Sequence, residues 1–479
     1  MQSDQQRAIW AVVLSGIVLF LWQYFFVPQI SPTTNSIPST VSTEINSIDP
    51  AKENIEITTK NNQQFYVLKK NSYNVKISNA LSFSEFTSIN SSELLGSVIG
   101  LNSDVSLNFF SPDKKLLTGF NIASSSTEDE LVVTHSDGIN IKLVLMETGK
   151  LAIIGQLPKG YGYGLSGRSE AVDSSVQKRS YIYHINNLHT SVVGDENDDS
   201  GVLKWIGIDY SYHFFGLVNK ESIATDVTFN NQGYFLSKSF PLNEKIDAYM
   251  IFVKKEYDFL KTLGDSLQLT VDFGMFAFLA VPMLWLLKSF YALVANFGWA
   301  IVLLTLLIRL LTFPLQWSSL KGMKKMQNLQ PQLAKLKEKY KDDPMAMQKE
   351  TMAIFKKSGV NPLSGCFPLL LQMPIFFALY SVLYNAVELV GADYIGWIHD
   401  LSKKDPYYIL PVAMAVAMFV QQKITPSTIT DKMQQRIFLF MPLIFGFFMK
   451  DLPSGLSLYI FVSTVAGILQ QFFVFSRVK

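Results

Sequence analysis

Between residues 292 and 475 the chain carries five apolar runs, at about 292–313, 363–387, 407–421, 435–450 and 454–475. A sixth, AIWAVVLSGIVLFLWQYFFV, fills Ala8–Val27 without a charge. At 1.5 Å per residue, about 20 helical residues span a ~30 Å hydrocarbon core, so these runs predict six membrane-crossing helices. The first reads as an uncleaved anchor, because it ends in Trp22, Tyr24, Phe25 and Phe26 and has no small-x-small site before Pro28. A mean hydropathy of +0.20 with 17% charged residues fits a membrane chain. One cysteine, Cys366, and five histidines exclude a disulfide-stapled scaffold and a cysteine-rich metal module.

The stretch between the first run and the others has a different texture. Residues 29–60 read as a flexible linker, rich in Ser, Thr, Pro and Asn over 31–48. From 61 to 270, runs such as QFYVLKK, ELVVTHS, INIKLVLME and KIDAYMIFV alternate with period two between Asn, Asp, Gly and Ser clusters, which predicts an antiparallel β-sandwich. Gly162, Gly164 and Gly167 in GYGYGLSG suit a turn better than a phosphate loop. The acids Asp195, Glu196, Asp198 and Asp199 suit a solvated loop better than a calcium site. Residues 271–290 are apolar but interrupted by Pro282 and Lys288, which predicts an amphipathic helix lying in the membrane interface.

Charge orients the helices. The total is only +2, but residues 318–357 hold ten lysines against four acids, a local net of +6. A short, strongly basic loop stays in the cytoplasm. Lys423, Lys432 and Arg436 mark a second cytoplasmic loop, and Arg477 and Lys479 place the C-terminus on the same side. Residues 388–405, with four acids and two lysines, face outward. This places both termini inside and residues 29–290 outside. Within the basic loop, Leu320, Met323, Met326, Leu329, Leu333, Leu336 and Tyr340 recur at helical spacing up to Asp342-Asp343-Pro344, and Met345, Met352 and Phe355 follow. A hairpin of two amphipathic helices is expected, with Lys321, Lys324, Lys325, Lys335, Lys337 and Lys339 outward. Such a face suits anionic lipid, or an acidic partner or RNA.

Inside the spans one residue stands out: Arg309, in IVLLTLLIRLLTFPLQW. Either its long stem carries the guanidinium to the interface, or the group faces a hydrated interior. Thr305 lies one turn away, and Tyr459, Ser463, Gly467 and Gln470 share one face of the last run, with Gln372 isolated in another. The uninterrupted cores at 407–420 and 437–449 reach only ~20 Å, short of a bilayer. No histidine lies in an expected span, and no H-E-x-x-H, Walker motif or serine nucleophile with a membrane histidine is present, so catalytic chemistry and cofactors are not expected. A transporter or channel with a solute site at Arg309 is the alternative class, but the internal repeats usual in transporters are absent.

The segments NPLSGCFPLLLQMPIFFALY at 361–380, WIHDL at 397–401, DPYYILP at 405–411, MQQR at 433–436 and LPSGLSLY at 452–459, with Arg309 before them, closely resemble the YidC family of membrane-protein insertases. The resemblance covers about 265–475, and is weak over 60–265. It implies a polytopic α-helical inner-membrane protein with a large periplasmic β-sandwich and a five-helix core at 291–479 enclosing a cationic hydrophilic groove. Arg309, Thr305 and Gln372 match groove positions, and Tyr459 and Ser463 lie on the polar stripe beside them. Phe376, Met414 and Phe448 match an apolar slide for the incoming helix. The implied partners are nascent membrane proteins, the Sec translocon, the ribosome and anionic lipids, with no specific nucleic-acid sequence.

Overall fold

The computed structural model describes residues 57–60, 63–94, 105–124, 127–168, 179–184, 187–192, 199–210, 212–229, 234–340, 343–359, 367–425 and 432–477. The expected first span, the linker over 31–48, the acids at 195–198 and the segment 361–366 lie outside these residues. The chain divides into two compact units, with the break between Val271 and Asp272.

The first unit is all-β up to Lys254. Four strands, Ile57–Lys60, Gln63–Lys70, Tyr73–Ser78 and Phe83–Phe86, form an antiparallel meander, and twelve more form a second antiparallel sheet. Period two works as expected: Leu131 and Val133, and Ile141, Leu143 and Leu145, are buried on alternate positions of Glu130–Thr134 and Asn140–Leu145. The two sheets close over one core. Phe83 and Phe86 of the small sheet pack against Phe215 of the large one, with ring centroids 5.8 and 5.7 Å apart. A short helix, α1 (Tyr257–Leu263), and a 3-10 turn at Leu267–Thr270 complete the unit. The Asp265 carbonyl accepts from Trp205 Nε1 at 3.1 Å, and its carboxylate accepts from the Tyr249 hydroxyl at 2.6 Å.

The glycine-rich segment is not a turn. Gly162–Arg168 is a strand paired with Ser106–Phe110 on one side and Tyr234–Ser239 on the other. Its glycines serve close approach: a Cβ on Gly164 would lie 1.9 Å from the Ser237 carbonyl oxygen, and one on Gly167 would lie 2.6 Å from Ile208 Cδ1. Gly164→Ala is expected to cost about 2–3 kcal/mol through forced displacement of the paired strand. Thermal unfolding of the purified chain, followed by its β-sheet circular dichroism, should show the midpoint fall by roughly 5–10 °C; an unchanged midpoint would refute the close-approach argument.

The second unit is helical: α2 (Ala277–Val294), α3 (Phe297–Lys339), α4 (Pro344–Lys357), α5 (Phe367–Asn385), α6 (Ile409–Ile424), α7 (Lys432–Phe448) and α8 (Ser454–Arg477). α8 packs along both α3 and α6, and α2 packs on α3 and α5. Among the described residues, Gly274–Val294, Phe297–Leu336 and Ser454–Arg477 are long and apolar enough to cross a membrane, while Ile409–Ile424 is apolar but shorter. The first of these includes the helix expected to lie in the interface; it runs on to Val294 and stops where Ala295 turns left-handed at φ 52°.

The largest departure from expectation is α3. A span ending near 313 and a separate hairpin arm were expected, but 43 residues form one helix that passes through Pro314 and Pro331. Proline removes a ladder bond, and helices survive this where other groups satisfy the freed backbone. The carbonyl that Pro314 frees is that of Leu310, four residues before it; in the turn just preceding, Thr312 Oγ1 donates to the Ile308 carbonyl at 2.9 Å, and Gln470 Nε2 of α8 donates to the Arg309 carbonyl at 3.0 Å. The break at 343–344 is as expected, because Asp343 caps α4 by accepting from the backbone N–H groups of Met345 and Ala346. The two arms meet through Met326, Leu329 and Leu333 against Ile354 and Phe355. Met345 and Met352, expected on the apolar stripe, are instead exposed, because the helix turns Ile354 and Phe355 to its partner.

Candidate functional site: an arginine on the seam of three helices

Asn296 caps α3, accepting from Trp299 N at 3.1 Å, and the helix then delivers Thr305, Arg309, Thr312 and Gln316 at spacings of four, three and four. Arg309 crosses to α8. Its Nε and Nη2 donate to Ser463 Oγ at 2.9 and 2.7 Å, and its Nη1 donates to Gln316 Oε1 at 3.3 Å. Gln316 Nε2 in turn donates to Thr312 Oγ1 at 3.0 Å. Gln470 approaches the same residue from below, on the Arg309 carbonyl. Gly467 makes this seam possible: a Cβ there would stand 2.9 Å from Gln421 Nε2 of α6 and 3.4 Å from Arg309 Nη1. Farther along α8, Gln372 Nε2 of α5 donates to the Tyr459 hydroxyl at 2.7 Å.

The polar stripe of the last helix therefore converges: Ser463, Gly467 and Gln470 meet Arg309, and Tyr459 meets Gln372. Among the described residues no carboxylate pairs with Arg309. A cation surrounded only by neutral hydrogen-bonding partners keeps its full charge for an incoming anion or dipole. Thr305 does not join the cluster. It is fully buried and donates to the Ile301 carbonyl of its own helix at 2.7 Å. Thr312 and Gln316, which sequence reasoning missed, take its place; their signal was the continued four-three-four spacing beyond Arg309.

The three expected slide residues are dispersed. Phe376 is half-buried against the Phe377 and Tyr380 rings, Phe448 is exposed, and Met414 is fully buried inside the helical unit. In the hairpin, Lys321, Lys325, Lys335 and Lys339 are exposed, while Lys324 lies half-buried with its Nζ 5.5 Å from the Phe475 ring. Lys337 shares the same helix.

A second structural centre lies at the other end of the unit, in a region that the sequence marks by its loop charge and by the WIHDL and DPYYILP segments. Asp405 is fully buried and receives Trp397 Nε1 at 3.0 Å and the backbone N–H groups of Tyr407 at 3.0 Å and Leu410 at 2.7 Å. The loop before it holds the start of α8, since Ser454 N and Gly455 N donate to the carbonyls of Lys403 and Leu401.

Residues 289–479 match the family model described as 60Kd inner membrane protein. Over 220 residues the chain is 51% identical to the membrane protein insertase YidC of Wolinella succinogenes, a match covering 46% of this chain and 41% of that one. It is 46% identical to the YidC of Campylobacter jejuni over 220 residues, covering 46% and 42%. It is 44% identical to the YidC of Helicobacter pylori over the same length, covering 46% and 40%. The matched stretch thus spans less than half of these relatives. A solved structure, "Active YidC insertase crystal structure with the first transmembrane domain resolved", aligns with a TM-score of 0.41 at 18% identity, over 87% of this chain and 94% of that one.

Proposed function

We propose that the chain, whose residues 289–479 match the 60Kd inner membrane protein model, is a multi-pass inner-membrane insertase of that family that passes the polar flank of a nascent membrane protein across the Arg309 cluster. The observation that carries this reading is a guanidinium in an apolar helix, fixed by Ser463 and Gln316, with no carboxylate partner among the described residues. Moving an unpaired amide through hydrocarbon costs several kcal/mol. A fixed cation flanked by Ser, Gln and Tyr offers that flank a polar step, and partitioning of the following apolar segment into lipid drives release without covalent chemistry. An inside-negative potential assists acidic flanks by ~2.3 kcal/mol per charge per 100 mV.

The finer topology belongs to the same proposal. Six spans, with 8–27 as the first, both termini in the cytoplasm and the β-unit outside, follow from the lysine distribution. The α3–α4 hairpin then projects into the cytoplasm with its lysines available to anionic lipid or the ribosome, α2 lies along the outer interface, and the Sec translocon is a working partner. Phe376 and Phe448 offer apolar surface to the departing helix, with Met414 supporting them from within.

The test is insertion of a small single-span protein into proteoliposomes. Arg309→Ala should lower insertion of an acid-flanked substrate about tenfold or more, as expected for loss of a charge-assisted hydrogen bond, and Arg309→Lys should retain part of it. Solute flux without insertion would replace this reading with a transporter or channel.

A further inference from the structure

Lys288 interrupts the apolar run of α2, and the cluster around Arg309 makes no use of it. The helix buries Ala280, Met283, Leu284 and Leu287 on the side that packs against α3 and α5. One turn after Leu284, on the same side, Lys288 Nζ lies 2.7 Å from Glu388 Oε1, and the two side chains are only 20% and 13% exposed. Glu388 sits in the 3-10 turn Val387–Leu389 just beyond α5, between the buried Val387 and Leu389. About three turns before Lys288, the Phe276 ring at the start of α2 stacks on Phe377 of α5, with centroids 5.8 Å apart and planes 6° apart. Asn385 Nδ2, at the end of α5, donates to the Asp272 carbonyl at 2.8 Å. A stack, a hydrogen bond and an ion pair thus join α2 and the residues before it to α5 and the turn after it.

These contacts differ in what they specify. Apolar packing is non-directional, so Met283, Leu284 and Leu287 would bury similar area if α2 slid or turned on α5. A half-buried ion pair is satisfied in one register alone, because a shift leaves both charges desolvated without a partner. Its net contribution to stability is small for the same reason, so register is what the pair supplies. The register reaches the substrate path through side chains. Phe377 stacks on Phe276 and meets the Phe376 ring at 5.8 Å, and Gln372, one turn before Phe376, donates to Tyr459. On the insertase reading above, we propose that Lys288 is a positioning residue for insertion. Its pairing with Glu388 sets the register of α2 on α5, and with it the placement of Phe376 and Gln372 beside the incoming chain.

The experiment reconstitutes the full chain and measures insertion of a small single-span protein beside melting of the detergent-solubilised protein. Lys288→Met strands the Glu388 carboxylate, so melting falls and insertion drops about tenfold. The decisive variant is neutral at both positions, Lys288→Met with Glu388→Gln. It has no charge to desolvate, so melting returns to that of the unaltered chain, but nothing fixes the register and insertion stays about threefold or more lower. A merely structural role would bring insertion back together with melting. Exchanging the charges, Lys288→Glu with Glu388→Lys, remakes the pair and should restore both. Unchanged insertion by Lys288→Met or by the neutral pair, or an exchanged pair that melts normally and stays impaired, overturns the positioning role and leaves the insertase reading intact. Failure of the unaltered chain to insert the substrate overturns that reading, and the positioning role with it.

Discussion

Replacing Asp405 by Ala should destabilise the helical unit by about 3–5 kcal/mol and open the segment 387–408 to protease. The carboxylate is fully buried and satisfies three donors, from Trp397, Tyr407 and Leu410. Each buried donor left unpaired costs about 1–3 kcal/mol, and the charge also sits favourably at the start of α6. The loss spreads because the same loop anchors α8 through Leu401 and Lys403, and α8 carries Ser463 and Gln470. Asp405→Asn should lose less, about 2 kcal/mol: one amide oxygen still serves two donors, while the amide nitrogen faces the third. Melting of the detergent-solubilised protein and limited proteolysis report both effects. An Asp405→Ala chain with unchanged melting and digestion would show that the loop is held by other contacts.

What could be read from the sequence follows from how local each signal is. Tyr459, Ser463, Gly467 and Gln470 were legible because one helix fixes their mutual angle, and all four meet partners on the same seam. The alternation in the strands was legible for the same reason. Which residues oppose such a face is not a property of one helix. Thr305 has the right spacing from Arg309 but satisfies its hydroxyl on its own backbone, while Gln316, seven residues away, reaches the guanidinium. Proline misled because one lost ladder bond is a local cost that packing overrides: Pro314 and Pro331 both sit inside one 43-residue helix, along which α8 and α2 pack. Glycine misled in the opposite sense, because the need for Gly164 arises from Ser237, a residue far along the chain on a neighbouring strand. Asp405 shows the same limit, as its burial depends on a tryptophan that no periodicity connects to it.

In the β-unit, the largest expected effect comes from Lys255 and Asp209, whose side chains are 4% and 5% exposed and 2.8 Å apart. Asp209 ends the strand Asp199–Asp209, and Lys255 follows the strand Lys245–Lys254, both neighbours of the 17-residue strand His213–Phe229. The pair therefore sits where three strands leave the sheet. Removing one partner strands a charge in a site that excludes water, so Lys255→Met alone should cost about 3–5 kcal/mol. Asp209→Asn alone should cost less, because the amide still accepts a hydrogen bond from the lysine. The double variant Lys255→Met with Asp209→Leu should recover most of the loss, because two charges no longer have to be desolvated and the volume is kept. A double-mutant cycle in urea, read by circular dichroism, measures the coupling. Coupling of about 2 kcal/mol or more, with the double variant more stable than Lys255→Met alone, is the expected result. Additive losses would mean that each residue acts through separate neighbours, and the pair would then have no special place in closing the sheet.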